Sequence, residues 1–125
     1  MKLLGVDFGR KKIGIAYSET KIAKPLVVLR GGDLLKKTVK IIEEYWPELI
    51  VVGVSEGKSG EFAKEFARKL EKAVQIKTVL EDETLSTYEA QTLSRAQNIK
   101  RSRRQEMEDA FAATLVLQSF LDRHV

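Results

Sequence analysis

Leu3-Leu4-Gly5-Val6-Asp7-Phe8-Gly9, followed after the cations Arg10, Lys11 and Lys12 by Ile13-Gly14-Ile15-Ala16-Tyr17, decides how this chain reads. An apolar run of strand length ends on a carboxylate, and a second run starts within a turn's length. Leu26-Val27-Val28-Leu29 supplies a third run after another short connection, so the three form an antiparallel meander. A carboxylate at the tip of a buried strand is costly to desolvate and stays ionised beside a metal or a cationic group. A divalent cation is the expected partner of Asp7.

Downstream, the periodicity changes from strand to helix and back. Asp33 is a plausible N-cap for a helix on which Leu35, Val39, Ile42 and Trp46 share a face until Pro47 stops it. Leu49-Ile50-Val51-Val52-Gly53-Val54 is a continuous apolar run, the pattern of a strand buried on both faces. Gly57 to Gly60 reads as a loop, with Ser59 capping a second helix that aligns Phe62, Phe66, Ala67 and Leu70. Ile76 to Glu81 is the fifth strand. Ser86-Thr87-Tyr88-Glu89 matches a capping box that opens a helix to about Gln97. The basic stretch Asn98 to Arg104 breaks the pattern, and a final helix runs from about Gln105 to Asp122.

This order predicts an α/β fold for residues 1–125 as one domain, with a mixed five-stranded sheet, three antiparallel strands and then two parallel, between helices on both faces. Ligands of such sheets gather beyond the carboxyl ends of parallel strands. Two further groups of acids lie near such positions. Glu81-Asp82-Glu83 closes the fifth strand, and Asp109 falls in line with Ala113, Val116 and Phe120 on the last helix, so it faces inward. Carboxylates brought together from distant parts of a chain repel one another unless hard cations sit between them, the arrangement of a Mg²⁺ or Mn²⁺ site. Plainer roles compete: Asp7 as a turn residue bonding the amides of Gly9 and Arg10, Asp82 or Glu83 as an exposed acid, and Asp109 as a partner of the helix dipole.

The 22 basic and 18 acidic residues give a net charge of only +4, but the signs are segregated. Arg10, Lys11 and Lys12 form one basic cluster and Lys100, Arg101, Arg103 and Arg104 another, which suits a polyanion held beside metal-binding acids. Zero cysteines exclude disulfides, thiolate catalysis and Cys-based metal sites. With no membrane-length apolar run and no secretory layout, the expected location is cytosolic. The single histidine, His124, reads as an ordinary residue of a frayed C-terminus, and Phe8, Tyr17 and Tyr88 as packing residues.

Four stretches together resemble the YqgF (RuvX) group of RNase H-like proteins, described as Holliday junction resolvases and precursor 16S ribosomal RNA nucleases. Gly5-Val6-Asp7-Phe8-Gly9 with Lys12-Ile13-Gly14-Ile15-Ala16 resembles the opening motif, and Val51-Val52-Gly53 with Gly60 and Glu61 is similar to the middle strand and its loop. Asp82-Glu83, Leu85-Ser86-Thr87 and Glu89-Ala90 resemble an Asp-Glu-Arg-Leu-Ser-Thr signature, and Asp109-Ala110 with Ala112-Ala113 and Leu117-Gln118 resembles the closing helix. Three positions depart from the pattern. Lys12 stands for an Arg, keeping the charge without the planar fork; Ser55 stands for a Pro; and Thr84 stands for an Arg, which bears on substrate grip more than on metal binding.

The resemblance implies that Asp7, Glu83 and Asp109 hold one or two Mg²⁺ or Mn²⁺ ions, and it is the resemblance that selects Glu83 over its two neighbours. It implies hydrolysis of phosphodiesters to 5′-phosphate and 3′-hydroxyl ends. The expected function is a metal-dependent endonuclease on structured nucleic acid, with 5′-end processing of precursor 16S ribosomal RNA ahead of branched DNA, working as a monomer or a homodimer. The alternatives are a Holliday junction resolvase, a catalytically inactive nucleic-acid-binding module, and an actin-like phosphotransferase, which needs two such domains.

Overall fold

A computed structural model describes residues 1–54, 57–82 and 101–124, with the side chains of 58, 59 and 101–106 outside that description. Its strands are β1 (Leu3–Phe8), β2 (Lys12–Ser18), β3 (Lys24–Arg30), β4 (Leu49–Val54) and β5 (Thr78–Asp82). Its helices are α1 (Leu34–Tyr45), α2 (Lys58–Val74) and α3 (Arg101–His124).

The five strands form one sheet in the order β3-β2-β1-β4-β5. β1, β2 and β3 pair antiparallel, while β1–β4 and β4–β5 pair parallel, the mixed arrangement expected from the sequence. Alternation along each strand divides the core in two. Leu4, Val6, Ile13, Ile15, Ile50 and Val52 meet Ile42 of α1 and Phe66 and Leu70 of α2 on one face. Leu3, Ala16, Leu49 and Val51 meet Ala113, Val116, Leu117 and Leu121 of α3 on the other.

Close approach of α3 is set by two glycines. A Cβ on Gly5 would lie 2.8 Å from Leu117 Cβ and 3.0 Å from the Ala113 carbonyl oxygen. On Gly14 it would overlap the backbone of Asp109 and Ala110 outright. The helix therefore rests directly on β1 and β2. Gln118 fixes its register from the far side, accepting from Ala23 N at 2.9 Å and donating to the Lys21 carbonyl at 2.9 Å.

Several local expectations change. The Asp33 cap forms, its carboxylate accepting from Lys36 N at 3.1 Å. Trp46 does not join the core: Pro47 bars the α conformation there, and Trp46 leaves the helix at φ 47°, exposed. α2 opens at Lys58 after Gly57, so Ser59 lies inside its first turn rather than at the cap. β5 starts at Thr78 instead of Ile76, since Gln75 ends α2 in a left-handed conformation and Ile76 is spent on the core before pairing begins.

At the other end, α3 extends beyond both expected limits. Arg101 to Arg104 are helical, not a connector, and His124 still belongs to the helix, its ring stacked on Phe120 at 4.3 Å. The capping box at Ser86–Glu89, the helix to Gln97, Tyr88, Ser55 and Thr84 all lie outside the described residues. Among the described residues, no helix is long and apolar enough to cross a membrane.

A candidate metal and nucleic-acid site

Strand register places the acids. Asp7 of β1 faces Gly14 on β2 and Gly53 on β4, and Gly53 in turn faces Glu81 on β5. The four form one cross-strand row, and alternation puts that row on the α3 side, two residues beyond Gly5, Ala16, Val51 and Val79. Asp7, half-buried, thus has a glycine on either side in the row.

Asp109 reaches the same place from above. Because Gly14 has no side chain, the Asp109 backbone sits against it, above the residue that pairs with Asp7 across the β1–β2 ladder. The inward stripe predicted for Asp109 is real: Ala113 and Val116 are buried in the core and Phe120 packs at its edge. Asp109 Oδ2 is buried and accepts no hydrogen bond among the described residues. Among the described residues the cation beside it is Lys12, with Nζ 3.1 Å away, too poorly directed for a hydrogen bond but close enough for charge attraction.

Glu83, the third expected ligand, lies outside the described residues, so its place relative to Asp7 and Asp109 belongs to the proposal below. Among the described residues no three His, Asp or Glu side chains converge. Glu81 is the residue the sequence reading underrated. It is buried on the α3 face, with only 3% of its side chain exposed, and it pairs with Arg123 while accepting from Ser119 Oγ at 3.0 Å. The alternation Val79, Glu81 against Thr78, Leu80 was the available signal. Two strand spacings, roughly 10 Å, separate it from Asp7.

The basic residues divide as well. Arg10, Lys11 and Lys12 line an open cleft of about 660 Å³ together with Phe8, Gly9 and Asp109. Arg101, Arg103 and Arg104 occupy the first turn of α3, which carries no acid, and Lys100 lies outside the described residues. Phe8 packs on Phe66 at 4.7 Å and Tyr17 on Tyr45 at 4.9 Å, so both are packing residues as expected. Tyr17 donates to Glu19, and that bond, with lesser help from desolvation, pushes its pKa up to about 12, so its hydroxyl keeps its proton at neutral pH.

A family model described as "RuvX: Holliday junction resolvase" matches residues 1–123. The chain belongs to the RuvX family. Members that resemble it along nearly their whole length include a protein of Carboxydothermus hydrogenoformans, 38% identical over 98% of this chain and 96% of its own, and one of Clostridium botulinum, 34% identical over 98% of each. Both are provisionally named pre-16S rRNA nuclease. Among solved structures, the fowlpox virus Holliday junction resolvase superposes with a TM-score of 0.68 at 12% identity over 100% of both chains. Thermus thermophilus RuvC in complex with a Holliday junction gives 0.67 at 14%, over 98% of this chain and 95% of that one. These likenesses establish the RNase H-like fold for this RuvX member. Kinship with the named relatives supports nuclease activity in general terms.

Proposed function

We propose that this RuvX protein is a divalent-metal-dependent endonuclease of structured nucleic acid that trims the 5′ side of precursor 16S ribosomal RNA, in the cytoplasm and as a single RNase H-like domain. One observation carries the chemistry: a buried carboxylate oxygen, Asp109 Oδ2, with no hydrogen bond among the described residues, held beside the strand-end Asp7 by a glycine contact. A chain that buries an acceptor ordinarily supplies it with a donor. Leaving this one short fits a site that receives a cation.

Asp7, Asp109 and, two residues beyond Glu81, Glu83 would hold one or two Mg²⁺ or Mn²⁺ ions. Bound there, such ions supply an activated water and offset charge on the phosphate. The chain itself does the rest. Gly14 and Gly53 keep side chains out of the row beside Asp7, which leaves room for a backbone phosphate. Lys12 stands beside Asp109 and lines the cleft with Arg10 and Lys11, a cationic wall that positions a strand without reading its sequence. Arg101, Arg103 and Arg104, in the first described turn of α3, would add cationic charge for an anionic strand. The single histidine, His124, sits roughly 22 Å along α3 from Asp109, too far to take part in the chemistry there.

RNA is preferred over a four-way junction because the relatives that match over their full length carry the precursor-RNA name, whereas the junction-bound neighbours share only the fold. The test incubates labelled precursor 16S RNA and a synthetic four-way DNA junction with the protein, with and without Mn²⁺. Replacing Asp7 by Asn should lower cleavage by roughly 10³-fold or more with binding nearly intact. Full activity in that variant would end the catalytic proposal, and cutting of the junction alone would reassign the substrate. Salt-dependent binding without cleavage in any metal would favour an inactive binding module.

A further inference from the structure

Phe62 stands apart from the packing of its own helix. The inward stripe of α2 is Ala63, Phe66, Ala67 and Leu70, all buried, whereas Phe62 is 44% exposed. What its ring meets is Arg10, whose guanidinium carbon lies 4.6 Å from the ring centroid. Arg10 comes from the β1–β2 turn and lines the cleft with Lys12 and Asp109. The two supports are tied together one turn away, where Phe8 packs on Phe66 at 4.7 Å. The cation and the ring therefore sit on elements that cannot drift apart.

We propose that Phe62 is a positioning residue for phosphate recognition, its ring holding the Arg10 guanidinium at the mouth of the acid cleft so that a nucleic-acid phosphate meets an already oriented fork. This rests on the nucleic-acid reading above. An unrestrained arginine on a surface turn samples many rotamers and loses that freedom on binding, and a ring that selects one conformer beforehand removes part of the loss. The attraction is electrostatic, between the cation and the negative face of the ring, so an aliphatic side chain of similar size cannot replace it. Lys12, by contrast, is held by Asp109, which makes the two neighbouring cations differ in role: one guards the acid and the other faces the ligand.

The measurement is fluorescence anisotropy of the full-length protein with a labelled precursor 16S leader RNA in EDTA, across a salt series. Phe62→Leu should bind about 2- to 5-fold more weakly, the range of an exposed cation–π contact, with its thermal midpoint unchanged. Phe62→Tyr should restore wild-type affinity. Arg10→Ala should bind more weakly still, with the slope of log K against log salt reduced by about one. The decisive variant is the double one: if Phe62 acts through Arg10, adding Phe62→Leu to Arg10→Ala costs nothing further.

Wild-type affinity in Phe62→Leu overturns the inference while leaving the nucleic-acid reading standing. So does an equal loss in the Arg10→Ala background, which would mean that the ring stacks on a base directly. A wild-type protein that binds no RNA at any salt removes the nucleic-acid reading itself, and the role of Phe62 with it.

Discussion

Two acidic residues anchor opposite ends of α3 to the same row of the sheet, and they are treated in opposite ways. Glu81 is buried, yet its carboxylate has an arginine and a hydroxyl from the last turns of the helix. Asp109 buries one oxygen that, among the described residues, has no hydrogen bond and a half-exposed lysine beside it. The first acid is satisfied by the chain and needs nothing more. The second is left wanting next to a cleft lined with cations. The contrast separates an acid whose partners the fold supplies from one that, on the proposed function, receives a cation, a distinction that neither burial nor position in the row makes alone.

The strongest way to break the comparison is to lift one end of the helix. A Cβ at Gly14 overlaps backbone atoms of Asp109 and Ala110, which cannot rotate out of the way as a flexible side chain would. Gly14→Ala should therefore cost more than the ~1–3 kcal/mol of ordinary overpacking, read from urea unfolding. Stability within 1 kcal/mol of wild type, a small change on the ~0.5–3 kcal/mol scale of point substitutions, would show that α3 does not rest on β2 at this point.

The next effect lies at the other end. Arg123→Ala leaves Glu81 buried with only the Ser119 hydroxyl. Breaking a fully buried ion pair costs ~3–5 kcal/mol, but Arg123 is 60% exposed and loses little solvation when paired, so about 2–3 kcal/mol is expected. Binding of Mn²⁺, followed as a rise in thermal midpoint, should persist in this variant. Loss of the metal response would mean that Glu81 and Asp109 are not separable and that the satisfied acid belongs to the site.

How much of this was legible beforehand follows from which physical signals are local. β4 was readable to the residue because a continuous apolar run of strand length stands between Pro47 and Gly57. Asp7 and Asp109 were readable because strand-end position and helical phase are properties of short windows. Glu81 was not, because its meaning depends on Arg123 and Ser119, about forty positions away and on another element. The arginines of residues 101–104 were assigned to a connector because their charge hides a helical backbone: a helix can be polar all round in its first turns when its packing begins further on. Trp46 was misplaced because helical phase alone ignores what Pro47 does to the residue before it.

The smallest expected effect on stability is also the sharpest test of the contrast. Asp109→Asn removes a carboxylate whose buried oxygen has no hydrogen bond among the described residues, which relieves desolvation, and forfeits an attraction to a lysine that is nearly half exposed, worth ~0–1 kcal/mol. The two terms oppose each other, so the metal-free variant should unfold within about 1 kcal/mol of wild type. Its rise in thermal midpoint with Mn²⁺ should vanish, because stabilisation by a bound ion depends on affinity for the native site. An amide cannot replace a charged ligand to a hard cation. A variant that loses several kcal/mol without metal would place Asp109 beside Glu81 as a structural acid, and the orphaned oxygen would then need another explanation than a cation.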